Sequence, residues 1–169
     1  MKKDNPEVNI TKVTLKEINV SYQEIVHTRA SKSTDDEVDS SVLSFGTELH
    51  YYLQHLNLES DDLSYIKNRQ MRKYVYNVKN SPLFKGVKNK DVRHEFHFYE
   101  QSSGIEGYID ALIIKENEVD IIDFKLKNID EIEYERQLRI YKEYIKTITD
   151  KPIKMYLLAA VTGEIKEVK

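Results

Sequence analysis

The chain has 169 residues, a formal net charge of −3, and 40% hydrophobic against 33% charged residues, which is the balance of one ordinary water-soluble domain long enough to bury a core. It contains no cysteine, so disulfides, thiolate zinc sites and an iron–sulfur cluster held by the chain itself are excluded. The mildly acidic total argues against an indiscriminate polyanion binder while leaving room for a local basic groove, and no apolar run reaches the roughly 18 residues that a membrane helix needs.

Met1-Lys2-Lys3 leads into polar sequence rather than a signal-peptide core, so a cytoplasmic location with no membrane partner is expected. Residues 1–43 read as an N-terminal extension. Within it, Val8–Val26 alternates loosely and predicts a strand or a short helix, and Thr28–Ser41 is small and polar, predicting loop. From Ser44 the pattern turns helical: Phe45, Leu49, Tyr52, Leu53 and Leu56 form one apolar stripe. His50 lies at the margin of that stripe, where periodicity alone reads it as a packed or solvated histidine rather than a ligand. Asp61–Val78 predicts a second helix, and Ser81-Pro82 to Gly86 marks a break. Val92–Tyr99 alternates as a strand, with Phe96 and Phe98 on one face and Glu95, His97 and Tyr99 on the other.

Tyr108–Ile114 and Val119–Lys125 are Ile- and Val-rich strands with apolar residues on both faces, joined by a polar turn at Glu116-Asn117. Such strands belong in the middle of a layered α/β domain. With a two-residue loop, 115 pairs with 118, 114 with 119 and 110 with 123, so Asp110 and Asp123 stand opposite one another. Cross-strand partners have Cβ atoms about 4.5–5.5 Å apart. Lys125, two residues beyond Asp123, shares its face. Isolated charges on a hairpin are normally solvated. These are flanked by Ile109, Ala111, Leu112, Ile121, Ile122 and Phe124, and uncompensated carboxylates in such surroundings cost several kcal/mol. A divalent cation resolves the conflict, and hard oxygen ligands suit Mg²⁺ or Mn²⁺.

Asn128–Thr147 predicts an amphipathic helix with Tyr134, Leu138, Tyr141, Ile145 and Ile148 in one stripe and Asp130 and Glu131 near its start. Gln137 falls at its inner edge and reads, from periodicity, as a boundary residue. Pro152 ends that segment; Met155–Val161 predicts a buried strand and Glu164–Val168 a final short one.

The predicted order is helix, three antiparallel strands, helix, strand. On it sit Gly46…His50, Glu95, Gly107-Tyr-Ile-Asp110, Asp123-Phe-Lys125 and Gln137…Tyr141. This set of motifs resembles the PD-(D/E)XK nuclease superfamily, and within it the RecB-like branch found as the nuclease domain of RecB and AddA helicase-nucleases. The resemblance covers roughly Ala30 to the C-terminus. Asp-x-Lys alone is a weak pattern; five motifs in order on the expected elements are a specific one. Leu126 departs from the Thr that commonly follows the motif lysine, and the lack of cysteine places the chain with the members that carry no iron–sulfur cluster.

The resemblance implies an α/β (α+β) restriction-endonuclease-like core over residues 44–169, with a central mixed sheet flanked by helices in α-β-β-β-α-β order. It implies a Mg²⁺- or Mn²⁺-dependent deoxyribonuclease, expected to be an exonuclease in DNA repair or recombination, acting on single-stranded DNA or linear duplex ends. A helicase partner, in cis or in trans, is implied as well. His50, Asp110 and Asp123 would bind the metal, joined by the backbone carbonyl after Lys125 and by water. Lys125 would orient or help deprotonate the attacking water. Glu95 is either a further ligand or a residue holding Lys125. Gln137, Tyr141 and Tyr134 would contact DNA or support the catalytic loop. The rival expectation is a PD-(D/E)XK fold kept as a non-catalytic DNA-binding or docking module, which retention of the facing carboxylates disfavours.

Overall fold

The computed structural model describes residues 40–100 and 104–169, and the expectations for Val8–Val26 and for 28–39 lie outside them. The elements are α1 (Ser40–Gln54), α2 (Arg69–Lys79), β1 (Val92–Glu100), β2 (Ile105–Ile114), β3 (Val119–Lys125), α3 (Ile132–Lys146), β4 (Ile153–Ala159) and β5 (Ile165–Val168). Single 3₁₀ turns at Pro82–Phe84 and Asn89–Asp91 connect α2 to β1. The strands form one sheet in the order β1-β2-β3-β4-β5. β3 and β4 run parallel, and the other neighbouring pairs are antiparallel.

Two apolar clusters sandwich this mixed sheet. Leu49 and Leu53 of α1 and Met71, Tyr74, Val75 and Val78 of α2 pack with Ala111, Ile113, Ile122 and Phe124 on one face. Leu138, Tyr141 and Ile145 of α3 pack with Phe98, Ile109, Leu112, Ile121 and Leu157 on the other. β3 is therefore covered on both sides, and six of its seven residues are buried, as its unbroken Ile and Val content predicts. The hairpin register is the expected one: Ile114 pairs with Val119 and Ala111 with Ile122, and the Lys115 N–H donates to the Glu118 carbonyl at 3.0 Å.

Several boundaries differ from expectation, for local reasons. The helix expected over 61–78 starts only at Arg69. Upstream, the Asp62 N–H donates to Ser60 Oγ (3.2 Å) and the Ser64 N–H to Asp62 Oδ1 (2.8 Å), while Asn68 caps the helix start by accepting the Gln70 N–H (2.9 Å). Ser60 and Asp62 offer the backbone turn partners that outcompete helix. Asn128 acts likewise on Asp130 N–H (3.0 Å), so α3 begins at Ile132 and not at 128. α1 starts four residues before Ser44, so the expected division at 43/44 falls inside a helix. β4 begins at Ile153 and ends at Ala159, where a turn closed by Gly163 N–H on the Ala159 carbonyl (2.8 Å) takes over. Among the described residues, no helix is long and apolar enough to cross a membrane.

Candidate metal centre

The site forms where the β1–β2 ladder loses a rung. His94 pairs with Ala111 and Phe96 with Ile109, which sets Glu95 opposite Asp110, yet that pair is missing from the ladder. Glu95 has φ 47°, a left-handed conformation that costs a side-chain-bearing residue on the order of 1–2 kcal/mol. Across this point the pleat changes face. Val92, Ala111 and Ile113 pack beneath α1 and α2, whereas Phe96, Phe98 and Ile109 pack beneath α3. Strict period-2 alternation would keep 109 with 111 and 92 with 96. The twist brings the two carboxylates together in front of α1, whose buried Leu49 and Leu53 hold His50 over the sheet.

Ligand atoms of His50, Glu95 and Asp110 all lie within 4.8 Å of one another. His50 Nδ1 is 3.3 Å from Asp110 Oδ1, and Asp110 Oδ2 accepts the Phe124 backbone N–H at 2.7 Å. That last bond replaces the ladder pairing expected between 110 and 123. Burial works against the Asp110 carboxylate, but His50 and the Phe124 N–H outweigh it and hold the group below the usual carboxylate range. Burial likewise depresses the His50 imidazolium, and the adjacent Asp110 overcomes it, so that the His50 pKa lies above the ordinary value.

Asp123, on β3, is 3% exposed. Burial first, then the Asp110 charge, push its pKa up to about 6, and Lys125 offsets this only in part. The Lys125 ammonium approaches Asp123 Oδ2 at 2.8 Å and lies 4.1 Å from the Tyr134 ring centroid. Apart from this ion pair, no hydrogen-bond donor among the described residues reaches the buried Oδ2. The Tyr134 hydroxyl is itself pushed up to about 12, by burial and then by Glu131.

A divalent ion held by oxygen and imidazole needs donors about 2.0–2.6 Å from itself, and hence separations of about 3–5 Å between donors. The His50 imidazole and the Glu95 and Asp110 carboxylates meet that requirement. The residues present therefore fit a divalent cation. The third member of the close-set group is Glu95, and Asp123 stands next to it, engaged by Lys125. The carbonyl expected to join them, that of Leu126, accepts the Val161 N–H at 3.0 Å, and the Lys125 carbonyl accepts that of Ala160 at 2.8 Å.

Gln137 and Tyr141 meet each other on α3, Gln137 Nε2 donating to the Tyr141 hydroxyl at 2.6 Å. Tyr141 is 1% exposed and packs edge-on against Phe98 (5.5 Å), which makes it a support of the α3 face rather than a nucleic-acid contact.

Three nearby residues carried no usable signal in the sequence. The pKa of His94, beside Glu95, is lowered chiefly by burial. Phe84, in the 3₁₀ turn after α2, packs its ring against that of Phe124 at 6.3 Å. Asn77 of α2 donates from Nδ2 to the carbonyls of Ala160 and Val161, both at 3.0 Å; the N–H groups of those same two residues hold Lys125 and Leu126. Asp120, fully buried at the far end of β3 against Lys115, forms a separate ion pair. Comparison with protein-family models and with characterised proteins finds no match for the chain.

Proposed function

We propose that the chain is a Mg²⁺- or Mn²⁺-dependent DNA nuclease with a PD-(D/E)XK core of the cluster-free RecB/AddA-like branch, hydrolysing phosphodiester bonds in repair or recombination. The observation that carries this reading is the convergence of His50, Glu95 and Asp110 from three separate elements, with the Asp123–Lys125 pair alongside.

When bound, the ion would acidify a water and neutralise charge on the phosphate. The chain's own residues supply the rest. Asp110 is fixed by the Phe124 N–H and by His50, so its free lone pairs aim at one point. Lys125 is held between Asp123 and the Tyr134 face, where its ammonium would stabilise charge developing on a phosphoryl oxygen. The Asn77 to Ala160/Val161 to Lys125/Leu126 relay fixes the backbone that carries the ammonium. A RecB-like domain of this kind would be served by a helicase, in cis or in trans, that feeds strand into it.

The test is cleavage of end-labelled linear single-stranded and duplex DNA with Mg²⁺, Mn²⁺ or EDTA. Metal-dependent degradation that disappears in Asp123→Ala and Lys125→Ala, with the circular dichroism spectrum retained, is the expected result. Persistence of activity in both variants refutes the mechanism, and absence of both cleavage and metal binding moves the account to a non-catalytic scaffold.

A further inference from the structure

Charge in this chain is segregated. Between residues 67 and 93 there are nine Lys or Arg against one Asp, a local charge of +8 in a chain whose total is −3. α2 runs through this segment with Met71, Tyr74, Val75 and Val78 buried against the sheet. Its opposite face shows Arg69, Lys73 and Tyr76 to solvent at i, i+4, i+7, and Tyr76 is 57% exposed.

Some of these cations already have structural work. Arg72 donates to the Ile66 carbonyl at 3.0 and 2.7 Å, and Lys79 pairs with Asp61. Arg69, Lys73, Lys85, Lys88 and Lys90 are exposed and carry no carboxylate partner among the described residues.

The helix α1 and the loop that leads from it into α2 carry a run of rings. Tyr51 contacts Tyr52 at 5.6 Å and Tyr52 contacts Tyr65 at 6.1 Å, with Tyr51 58% and Tyr65 46% exposed. Tyr51 directly follows His50 of the metal centre. Tyr65 leads within four residues to Arg69. Rings that offer π-faces beside unpaired cations fit single-stranded nucleic acid, whose unstacked bases lie on the rings while its phosphates meet the cations. A duplex keeps its base faces hidden. A membrane surface would need the apolar side of α2, which the core already occupies.

We infer that Tyr51, Tyr52 and Tyr65 of the α1 side and the Arg69/Lys73 face of α2 form a binding path for single-stranded nucleic acid that leads to the metal centre. The inference rests on the proposed nuclease reading only for what happens at the end of the path.

The test is fluorescence anisotropy of the whole chain, in EDTA, with labelled single-stranded and duplex DNA oligonucleotides over a salt series. Each phosphate contact contributes about −0.7 to the single-strand slope of log K against log salt. Arg69→Gln/Lys73→Gln reduces its magnitude by about 1.4, which weakens binding about 25-fold at 0.1 M salt. Tyr51→Ala and Tyr65→Ala each weaken single-strand binding about tenfold and leave duplex binding unchanged. All four positions are exposed, so these variants keep the fold.

An unchanged slope in the double variant overturns the path. So does an equal loss for duplex and single strand on removing Tyr51, or binding to phosphatidylserine vesicles in place of DNA. Because binding is read without metal, the two readings fail separately. Single-strand binding without cleavage in Mn²⁺ removes the nuclease alone, and cleavage of single strands unaffected by Arg69→Gln/Lys73→Gln removes the path alone.

Discussion

Asp123→Asn is expected to stabilise the metal-free protein while destroying its response to metal. With its carboxyl raised from 3.8 to about 6, Asp123 loses its proton later in the folded chain than in the unfolded one. Between those values the unfolded state binds fewer protons, so stability falls as pH rises, and the full cost is present above the folded pKa. A shift of about two units corresponds to about 3 kcal/mol, at 1.36 kcal/mol per unit. His50, raised above its ordinary value by Asp110, adds a loss of stability in the same direction at higher pH. The difference between wild type and variant reads Asp123 together with the part of the His50 shift that the Asp123 charge sustains.

Denaturant unfolding in EDTA at a series of pH values between 4 and 8 reads this directly. The variant should gain on the wild type progressively, reaching about 3 kcal/mol at pH 8, which for a chain of this size corresponds to roughly 6–12 °C in Tm. Saturating Mn²⁺, at about a hundred times its Kd, should restore about 2.7 kcal/mol to the wild type and nothing comparable to the variant. Parallel pH curves for the two proteins would refute the argument that Asp123 is held ionised against its surroundings for the sake of a cation.

Glu95→Gly should be more stable than Glu95→Ala by about 1 kcal/mol in urea unfolding, because only glycine accepts φ 47° without strain; equal stabilities would remove the strain argument. Both variants should bind Mn²⁺ at least tenfold more weakly by calorimetry, and retained affinity would remove Glu95 from the ligand set. Asn77→Ala, which frees the carbonyls of Ala160 and Val161, should cost about 1–2 kcal/mol and lower kcat for DNA cleavage with Mn²⁺ affinity unchanged; an unaltered kcat would leave Asn77 a purely structural clamp. Leu138→Ala empties a fully buried position beneath α3 and should cost about 2–5 kcal/mol in the same unfolding assay.

The β2–β3 hairpin was legible because its sequence leaves few alternatives. Two Ile- and Val-rich runs flank a two-residue polar turn, and a one-residue slip would turn every inward side chain outward. The pairs from 114–119 to 111–122 followed from that register, whereas the 110–123 pair expected to continue it is absent from the ladder, its place taken by the bond from the Phe124 N–H to Asp110. The detail that completes the site was not legible. Glutamate has no preference for left-handed backbone, so nothing in the sequence announces that Glu95 twists the β1–β2 ladder and turns its carboxylate toward His50. The helix expected from 61 failed for a different reason. Leu63, Ile66 and Met71 carry a helical spacing, but Ser60 and Asp62 accept backbone N–H groups two residues on and Asn68 caps the helix only from Arg69, so 61–68 is not helical, with Leu63 and Ile66 still buried. Asn77 is unremarkable in sequence, as its partners lie more than 80 positions away.

The central claim is that His50, Glu95, Asp110 and Asp123 serve one divalent cation. Calorimetric titration of the chain with Mn²⁺ tests it most directly. The account predicts a single saturable site, with affinity that strengthens as pH rises through the Asp123 pKa of about 6 and is lost in both Asp110→Asn and Asp123→Asn. No heat of binding in the wild type, or binding that survives both substitutions, would contradict it.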